Sequence, residues 1–463
     1  MRTLLAALAV TATAITPATP ASAPPSAPPA AVSASALPSA PPAAVSASAL
    51  PAAPRAAFAA VSAANAGALA VHADELPSAA PAAETPALFD DGAGGNANGD
   101  DPAIWVNPRK SGRSLIIATA KEGGLYVHDL GGKQLQHIAA PAAPGKDDEP
   151  GRFNNVDLVY GFRLGDRRVD LAVVSDRGRD QLRFYAIDPA ALTLTDVTDP
   201  AVPYVFNRTQ RQVNEEETAY GLATWQDGGR AYALVSRRHQ TRLGLARLTA
   251  RNGKVAYRLT RTLDLPARFE LPDGGTWRPC GEPGERPQIE GMVVDGGRDV
   301  LYAAQEDVGI WRLPADLTGR PVLIDKVKEY GRQDTYDPKT DECVPGVERG
   351  HGGEHLSADA EGLTIWYGKG GGGYLLASSQ GDSTFAVYAR DGRNRFLGSF
   401  RVGEGKGIDD TEHSDGAMVV DRPLGRYAHG LLVVHDGRNT PADGDRENTN
   451  FKLVPWENVP LPR

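Results

Sequence analysis

The sequence predicts an all-β fold: a six-bladed β-propeller with four antiparallel strands per blade, preceded by a disordered Ala/Pro-rich N-terminal segment. Three observations lead there. Short runs of β-branched and aromatic residues, such as "SLIIAT", "VDLAVVS", "YALVS", "YLLASS" and "LLVVHD", recur between clusters of Gly, Asp, Asn and Pro, the pattern of many short strands bounded by turns. Little 3.6-residue periodicity competes with them. A longer period runs underneath. Six segments place an acid, or an acid near a Tyr, just before an apolar strand: "GDDPAIWV", "NNVDLVYGF", "NEEETAYGLATW", "PQIEGMVVD", "DAEGLTIWY" and "HSDGAMVVD". Their markers, Asp100, Asp157, Tyr220, Glu290, Glu361 and Asp415, lie about 57, 63, 70, 71 and 54 residues apart. That is the length of one four-stranded blade with its loops, and propellers arise by such radial repetition.

The chain opens with Met1-Arg2, an apolar stretch from Leu4 to Val10 and the small-residue site Ala21-Ser22-Ala23. This reads as a secretory signal peptide over residues 1–23. Residues 24–86 are almost wholly Ala, Pro, Ser and Val, and "SAPPAAVSASALP" occurs twice in tandem, at 26–38 and 39–51. Lacking large apolar side chains, such a stretch does not recover its ordering entropy by burial. It is expected to be a disordered linker, with the propeller domain spanning 87–463. No later run approaches the roughly 20 apolar residues that span a bilayer, so the expectation is a secreted, extracellular, soluble protein with no membrane partner.

The net charge of −9 belongs to the propeller, because the N-terminal segment carries almost none of it. With no Lys/Arg run, nucleic acid is excluded as the expected partner. Cys280 and Cys343 are the two cysteines, both in polar Gly/Pro-rich stretches. In an oxidising compartment they are expected to form one disulfide between two loops.

Equivalent positions in successive blades ring the channel mouth, so the six markers converge there although they span most of the chain. Adjacent carboxylates such as Asp100 and Asp101 repel, and a ring of them needs cations. Hard oxygen donors without His or Cys clusters favour Ca²⁺ over Zn²⁺. His351, His355 and His413 read as loop histidines rather than ligands. The sequence has no RHGxRxP, HCx5R or GxSxG nucleophile motif.

From about residue 96 to 457, "DDPAIWVNP", "NNVDLVYGF", "DAEGLTIWY" with "GYLLASSQG", and "NFKLVPW" together resemble the β-propeller phytases, calcium-dependent secreted enzymes. The resemblance implies a 3-phytase-type phosphomonoesterase that hydrolyses myo-inositol hexakisphosphate, as its calcium complex, and lower inositol polyphosphates. The same resemblance implies several Ca²⁺ ions and direct attack of water on phosphorus, and the expected state is a monomer. Family calcium ligands fall on Asp100, Asp101, Tyr220, Glu290, Glu306, Asp359, Glu361 and Asp409, and Asp415 matches a further functional acid. Asp157, Gln380, Asp436 and Asn439 fall near metal-binding or supporting positions. Lys121, Arg177 and Arg238 match phosphate-contacting residues, with Arg237 as a substitute for the last. Three departures stand out: Arg238 replaces a Lys, Glu122 stands where a second Lys is common, and the insertion "FELPDGGTWRPCGEPGERP" carries Cys280. The alternatives are a calcium-dependent six-bladed lactonase or phosphotriesterase, and a non-enzymatic propeller that uses calcium for stability alone.

Overall fold

Six antiparallel meanders follow one another along the chain, over residues 102–138, 153–196, 219–264, 289–326, 360–402 and 417–455. They form blades 1 to 6 of a propeller. The computed structural model describes residues 76–90, 95–340, 342–440 and 446–461. The expected signal peptide and residues 24–75 of the expected linker lie outside the described residues. Among the described residues no helix is long and apolar enough to cross a membrane.

The first strand of each blade is innermost: Pro102–Trp105, Phe153–Leu164, Ala219–Asp227, Ile289–Asp295, Ala360–Tyr367 and Ala417–Val420. Each touches the first strand of the next blade, and the last touches the first, which closes the ring. The core is correspondingly distributed between blades. Ile104 and Ile116 of blade 1 pack with Val433 and Leu453 of blade 6, and Leu171 and Val173 of blade 2 with Ala233 and Val235 of blade 3. Trp366 of blade 5 stacks on Trp456, just beyond blade 6, at 5.2 Å. Alternating β-branched residues supply these flat apolar faces.

The expected boundary at residue 87 is too late. Ala83–Glu84 pairs antiparallel with Asn450–Pro455 and supplies the fourth strand of blade 6. Ser78–Ala79 pairs parallel with Phe396–Val402 at the edge of blade 5. Composition hides this pairing because backbone groups make it. Ala82 N–H donates to Leu453 O at 2.8 Å, Thr85 N–H to Phe451 O at 2.9 Å and Leu88 N–H to Thr449 O at 2.8 Å. Small side chains suffice for a strand whose role is to cap an open edge.

Two small hairpins stand outside the blades. Phe269–Glu270 pairs with Thr276–Trp277, and Thr335–Asp337 with Glu342–Val344. The expected disulfide joins them, with Cys280 and Cys343 bonded at 2.07 Å.

Candidate active site

Four blades share one irregularity at the start of the inner strand. The register against the second strand shifts after Phe153, Ala219, Ile289 and Ala360. A bulge re-aims the residue that follows it, and those residues are Asn154, Tyr220, Glu290 and Glu361. The glycines behind the last three let neighbouring blades close in. A Cβ on Gly221 would strike the carbonyl oxygen of Glu290, and one on Gly291 that of Glu361. Gly362 N–H then donates to Asp415 O of blade 6 at 2.7 Å. The Tyr-Gly, Glu-Gly and Asp-Gly pairs of the sequence therefore draw the markers into contact around the channel.

A second ring comes from the ends of the second strands. Lys121, Arg177 and Arg238 follow those of blades 1 to 3, and Glu306 and Gln380 those of blades 4 and 5. One side of the mouth is thus basic and the other acidic.

On the acidic side, oxygens of Glu290, Glu306 and Glu361 lie within 4.8 Å of one another, and all three side chains are buried. Glu290 is the hub. It accepts from the Tyr220 hydroxyl and from Asn154 Nδ2 at 2.5 Å. Gln288 Nε2 donates to Glu306 at 2.9 Å. Burial, then repulsion from Asp359 and Glu290, pushes the Glu306 carboxyl well above the usual range, and burial with repulsion from Glu290 and Glu306 does the same to Glu361. Burial and the charge of Glu290 likewise hold the Tyr220 phenol well above its usual value, so it keeps its proton. Asp100 is buried beside them. Burial and Glu290 raise its pKa, against the pull of Lys121 and Arg177. Asp359 is raised to about 6 by burial and then by Glu290 and Asp415.

Lys121 bridges the two halves from 3.7 Å, reaching both Asp100 and Asp415. Gln380 Nε2 donates to Asp415 at 2.6 Å, so this residue supports an acid directly. Arg177 donates to Asn154 Oδ1 at 2.9 Å and lies 5.7 Å over the Tyr220 ring. Arg238 is paired with Glu216, and the unexpected Glu122 is paired with Arg152. Arg152, Arg177 and Arg238 together line a cavity of about 210 Å³. Arg237 instead pairs with Glu217 at 3.0 Å.

Five expected positions have other company. Asp157 accepts from the backbone N–H of Leu158 at 2.7 Å and from both the N–H and the hydroxyl of Thr224, which latches blade 2 to blade 3. Asp101 accepts from Val156 N–H at 3.0 Å, so one of its oxygens also serves an inter-blade contact. Asp409, Asp436 and Asn439 form a separate cluster with Glu84 around the buried ammonium of Lys452.

Sequence reasoning missed Asn154, Arg152 and His435. The register position identifies Asn154 as the blade-2 equivalent of Glu290, whereas a search for acids selects Asp157 three residues on. His435 Nδ1 accepts from Asp415 N–H at 3.1 Å, and burial, then the charge of Lys121, lowers its pKa to about 3, so it stays neutral.

The mouth has the character of a cation site. Asp100 Oδ1, Glu306 Oε1 and Glu361 Oε2 are buried without a hydrogen-bond partner. None of Glu290, Glu306 and Glu361 has an ion-pair partner among the described residues. Such atoms are costly unless something supplies positive charge, and an all-oxygen donor set fits a hard divalent ion of the Ca²⁺ kind.

Comparison with known proteins adds the following. A family model described as Phytase matches residues 46–265 and 284–461. A 3-phytase from Bacillus subtilis (strain 168) is 34% identical over 378 residues, covering 79% of this chain and 81% of that protein. Solved structures align more weakly. BBS1N in complex with ARL6DN gives a TM-score of 0.39 at 11% identity, covering 77% of this chain and 78% of that one. U3-55K gives 0.39 at 11%, covering 81% and 100%. Neither of these two structural likenesses bears on function.

Proposed function

The chain belongs to the phytase family, a family of phosphoric monoester hydrolases, and on that premise we propose a calcium-assisted hydrolysis of phytate at the mouth formed by blades 1 to 6. The carrying observation is the set of three buried glutamates, Glu290, Glu306 and Glu361, within 4.8 Å of one another, with Lys121 beside Asp100 and Arg177 joined to Glu290 through Asn154.

Glu290, Glu306, Glu361 and Asp100 would hold the ions, with Asp359, Asp101 and Asp415 around them. Bound there, calcium would polarise phosphoryl oxygens and favour deprotonation of a bound water. The chain's own residues do the rest. Lys121 and Arg177 neutralise a phosphate above the acidic floor, and Arg238, once released from Glu216, offers a planar two-point contact to a neighbouring phosphate. Tyr220, kept protonated, fixes one Glu290 oxygen and Asn154 the other, so the hub carboxylate is held in one orientation. Asn154 joins Glu290 to Arg177, so the acidic and basic halves are held in register. Water attacks phosphorus in line, the P–O bond to the inositol ring breaks, and the ring oxygen takes up a proton. No enzyme-bound phosphoryl intermediate forms.

We further propose a secreted monomer acting on calcium–phytate and on lower inositol polyphosphates. The disulfide supports an oxidising compartment, and the net charge of −9 argues against nucleic acid.

The test is phosphate release from phytate with calcium present and after exhaustive chelation, with p-nitrophenyl phosphate as a substrate lacking neighbouring phosphates. Release that vanishes on chelation and returns with calcium supports the reading. A folded, calcium-loaded protein that releases no phosphate from phytate removes it.

A further inference from the structure

The stapled insertion does more than brace the propeller. The family model matches on either side of residues 266–283 and leaves them out, so this segment lies outside the matched family pattern. It lines an open cavity of about 810 Å³ whose other lining residues include Glu306, Asp307 and Asp359. The carboxylate floor of the mouth and the insertion thus face the same space.

Arg268 and Arg278 stand on the insertion side of that cavity, and both are exposed. Neither has a hydrogen bond or ion pair among the described residues, unlike Arg152, Arg237 and Arg238, each of which is latched to a glutamate. Arg286 lines the same space. An open cavity with acids at its base and free guanidinium groups on its wall suits a ligand with several anionic groups, one of them directed at the base. The buried, unpartnered Glu306 Oε1 points to a charged occupant of that base.

The wall is also held still. Arg268 precedes Phe269, which is buried, and Arg278 sits between the buried Trp277 and the disulfide-bonded Cys280. The rings of Phe269, Trp277 and Tyr330 cluster, with Trp277 and Tyr330 centroids 4.4 Å apart. Trp277 Nε1 donates to Arg332 O at 2.7 Å, at the root of the second hairpin. Anchoring the residues beside each guanidinium reduces the entropy lost when it engages a ligand.

We propose that the stapled insertion is a binding wall for the polyphosphorylated substrate, in which Arg268 and Arg278 contact phosphate groups other than the one being cleaved. This rests on the phytase reading and assigns that site its preference for highly phosphorylated substrates. Charge-assisted contacts of this kind are among the stronger hydrogen bonds, and their rim position makes them sensitive to salt.

The experiment compares wild type, Arg268→Gln/Arg278→Gln, and Arg258→Gln/Arg261→Gln. The last removes the same charge from an exposed outer strand of blade 3. Two readouts are taken on calcium-loaded protein. One is the ratio of kcat/KM for phytate to kcat/KM for p-nitrophenyl phosphate. The other is the calorimetric Kd for myo-inositol hexasulfate, which binds without being a phosphate ester. The wall variant is expected to lower the ratio roughly tenfold, through KM, and to weaken hexasulfate binding by a similar factor, while the outer-strand variant matches wild type. A ratio and a Kd equal to wild type in the wall variant overturn the proposal, as does an equal loss in the outer-strand variant. If wild type releases no phosphate from phytate, the phytase reading fails, and the hexasulfate Kd alone then decides whether the arginines bind a polyanion.

Discussion

Two regions of this molecule gather several acids into a small volume, and they are neutralised differently. At the edge of blade 6, Glu84, Asp409, Asp436 and Asn439 surround Lys452, whose side chain is fully buried. Its ammonium donates to Glu84 at 2.8 Å and to Asn439 at 2.7 Å, bonds Asp409, and lies 3.2 Å from Asp436. Burial disfavours the ammonium, yet Asp436 and its neighbours hold the lysine pKa above the ordinary value. At the channel mouth no such internal cation reaches the glutamates. Lys121 stops 3.7 Å from Asp100 and Asp415, and oxygens of Asp100, Glu306 and Glu361 have no partner. A carboxylate cluster that carries its own ammonium is a strut. One that leaves its oxygens open is a socket.

The largest expected effect breaks the socket. Glu290→Gln removes the charge at the hub but keeps the size and one acceptor for Tyr220, so turnover of phytate should fall on the order of 10³-fold while the melting temperature in calcium-free buffer holds or rises. Retained turnover would show that the hub is structural. The strut should respond in the opposite sense. Lys452→Met leaves buried acids unpaired and should cost about 3–5 kcal/mol, measured by denaturant unfolding. Asp409→Asn sharpens the contrast, because its contacts assign it to the strut although the family resemblance assigns it to the mouth. Its stability should drop while most of the turnover survives. A loss of turnover as deep as that of Glu290→Gln would place Asp409 functionally at the mouth.

A smaller effect separates the regions by pH. Asp359, half-buried at the mouth, has its pKa raised from 3.8 to about 6, first by burial and then by Glu290 and Asp415. The folded state therefore holds this proton more tightly than the unfolded chain does. Its contribution is fully present below about pH 4 and is lost as pH rises through about 6. In calcium-free buffer the protein should lose on the order of 1–2 kcal/mol from this group across that window, after allowance for partial exposure. Saturating calcium should flatten the slope, because the ion takes the place of the proton. An identical slope with and without calcium, read from denaturant midpoints, would separate Asp359 from the cation site.

The difference between strut and socket also explains what the sequence could disclose. The socket was legible because its residues recur at one phase of a repeat: Tyr220, Glu290 and Glu361 each follow the first residue of an inner strand and precede a glycine. The phase fails for blade 2, where the equivalent residue is an asparagine and the nearest acid, Asp157, lies three residues further along. A bulge separates the two, and bulges leave no reliable mark in a single sequence. The strut was illegible for a different reason. Glu84 sits in a stretch whose composition reads as linker, and Lys452 sits in "NFKLVPW" as the one charge of a strand buried along its whole length. Only the pairing of an N-terminal strand with the last blade brings the two together.

The smallest effect tests whether Asp157 belongs to either class. Its carboxylate accepts from the backbone N–H groups of Leu158 and Thr224, and the Thr224 hydroxyl shares its one proton between Asp157 at 3.0 Å and Leu158 O at 2.7 Å. Burial raises the pKa of this acid and the hydrogen bonds from Thr224 and Leu158 oppose that rise, so its oxygens are engaged in a contact between blades instead of lying open at the mouth. Thr224→Val keeps the shape and the backbone donor but removes the hydroxyl, so it should cost about 1–2 kcal/mol through the loss of bonds at a part-buried site. That loss should be the same with and without calcium, and kcat on phytate should stay within about twofold, because the latch holds blades 2 and 3 together without reaching the mouth. If calcium restored the lost stability, Asp157 would be binding the ion after all. The boundary between structural and functional acids would then have to be redrawn one blade further round the ring.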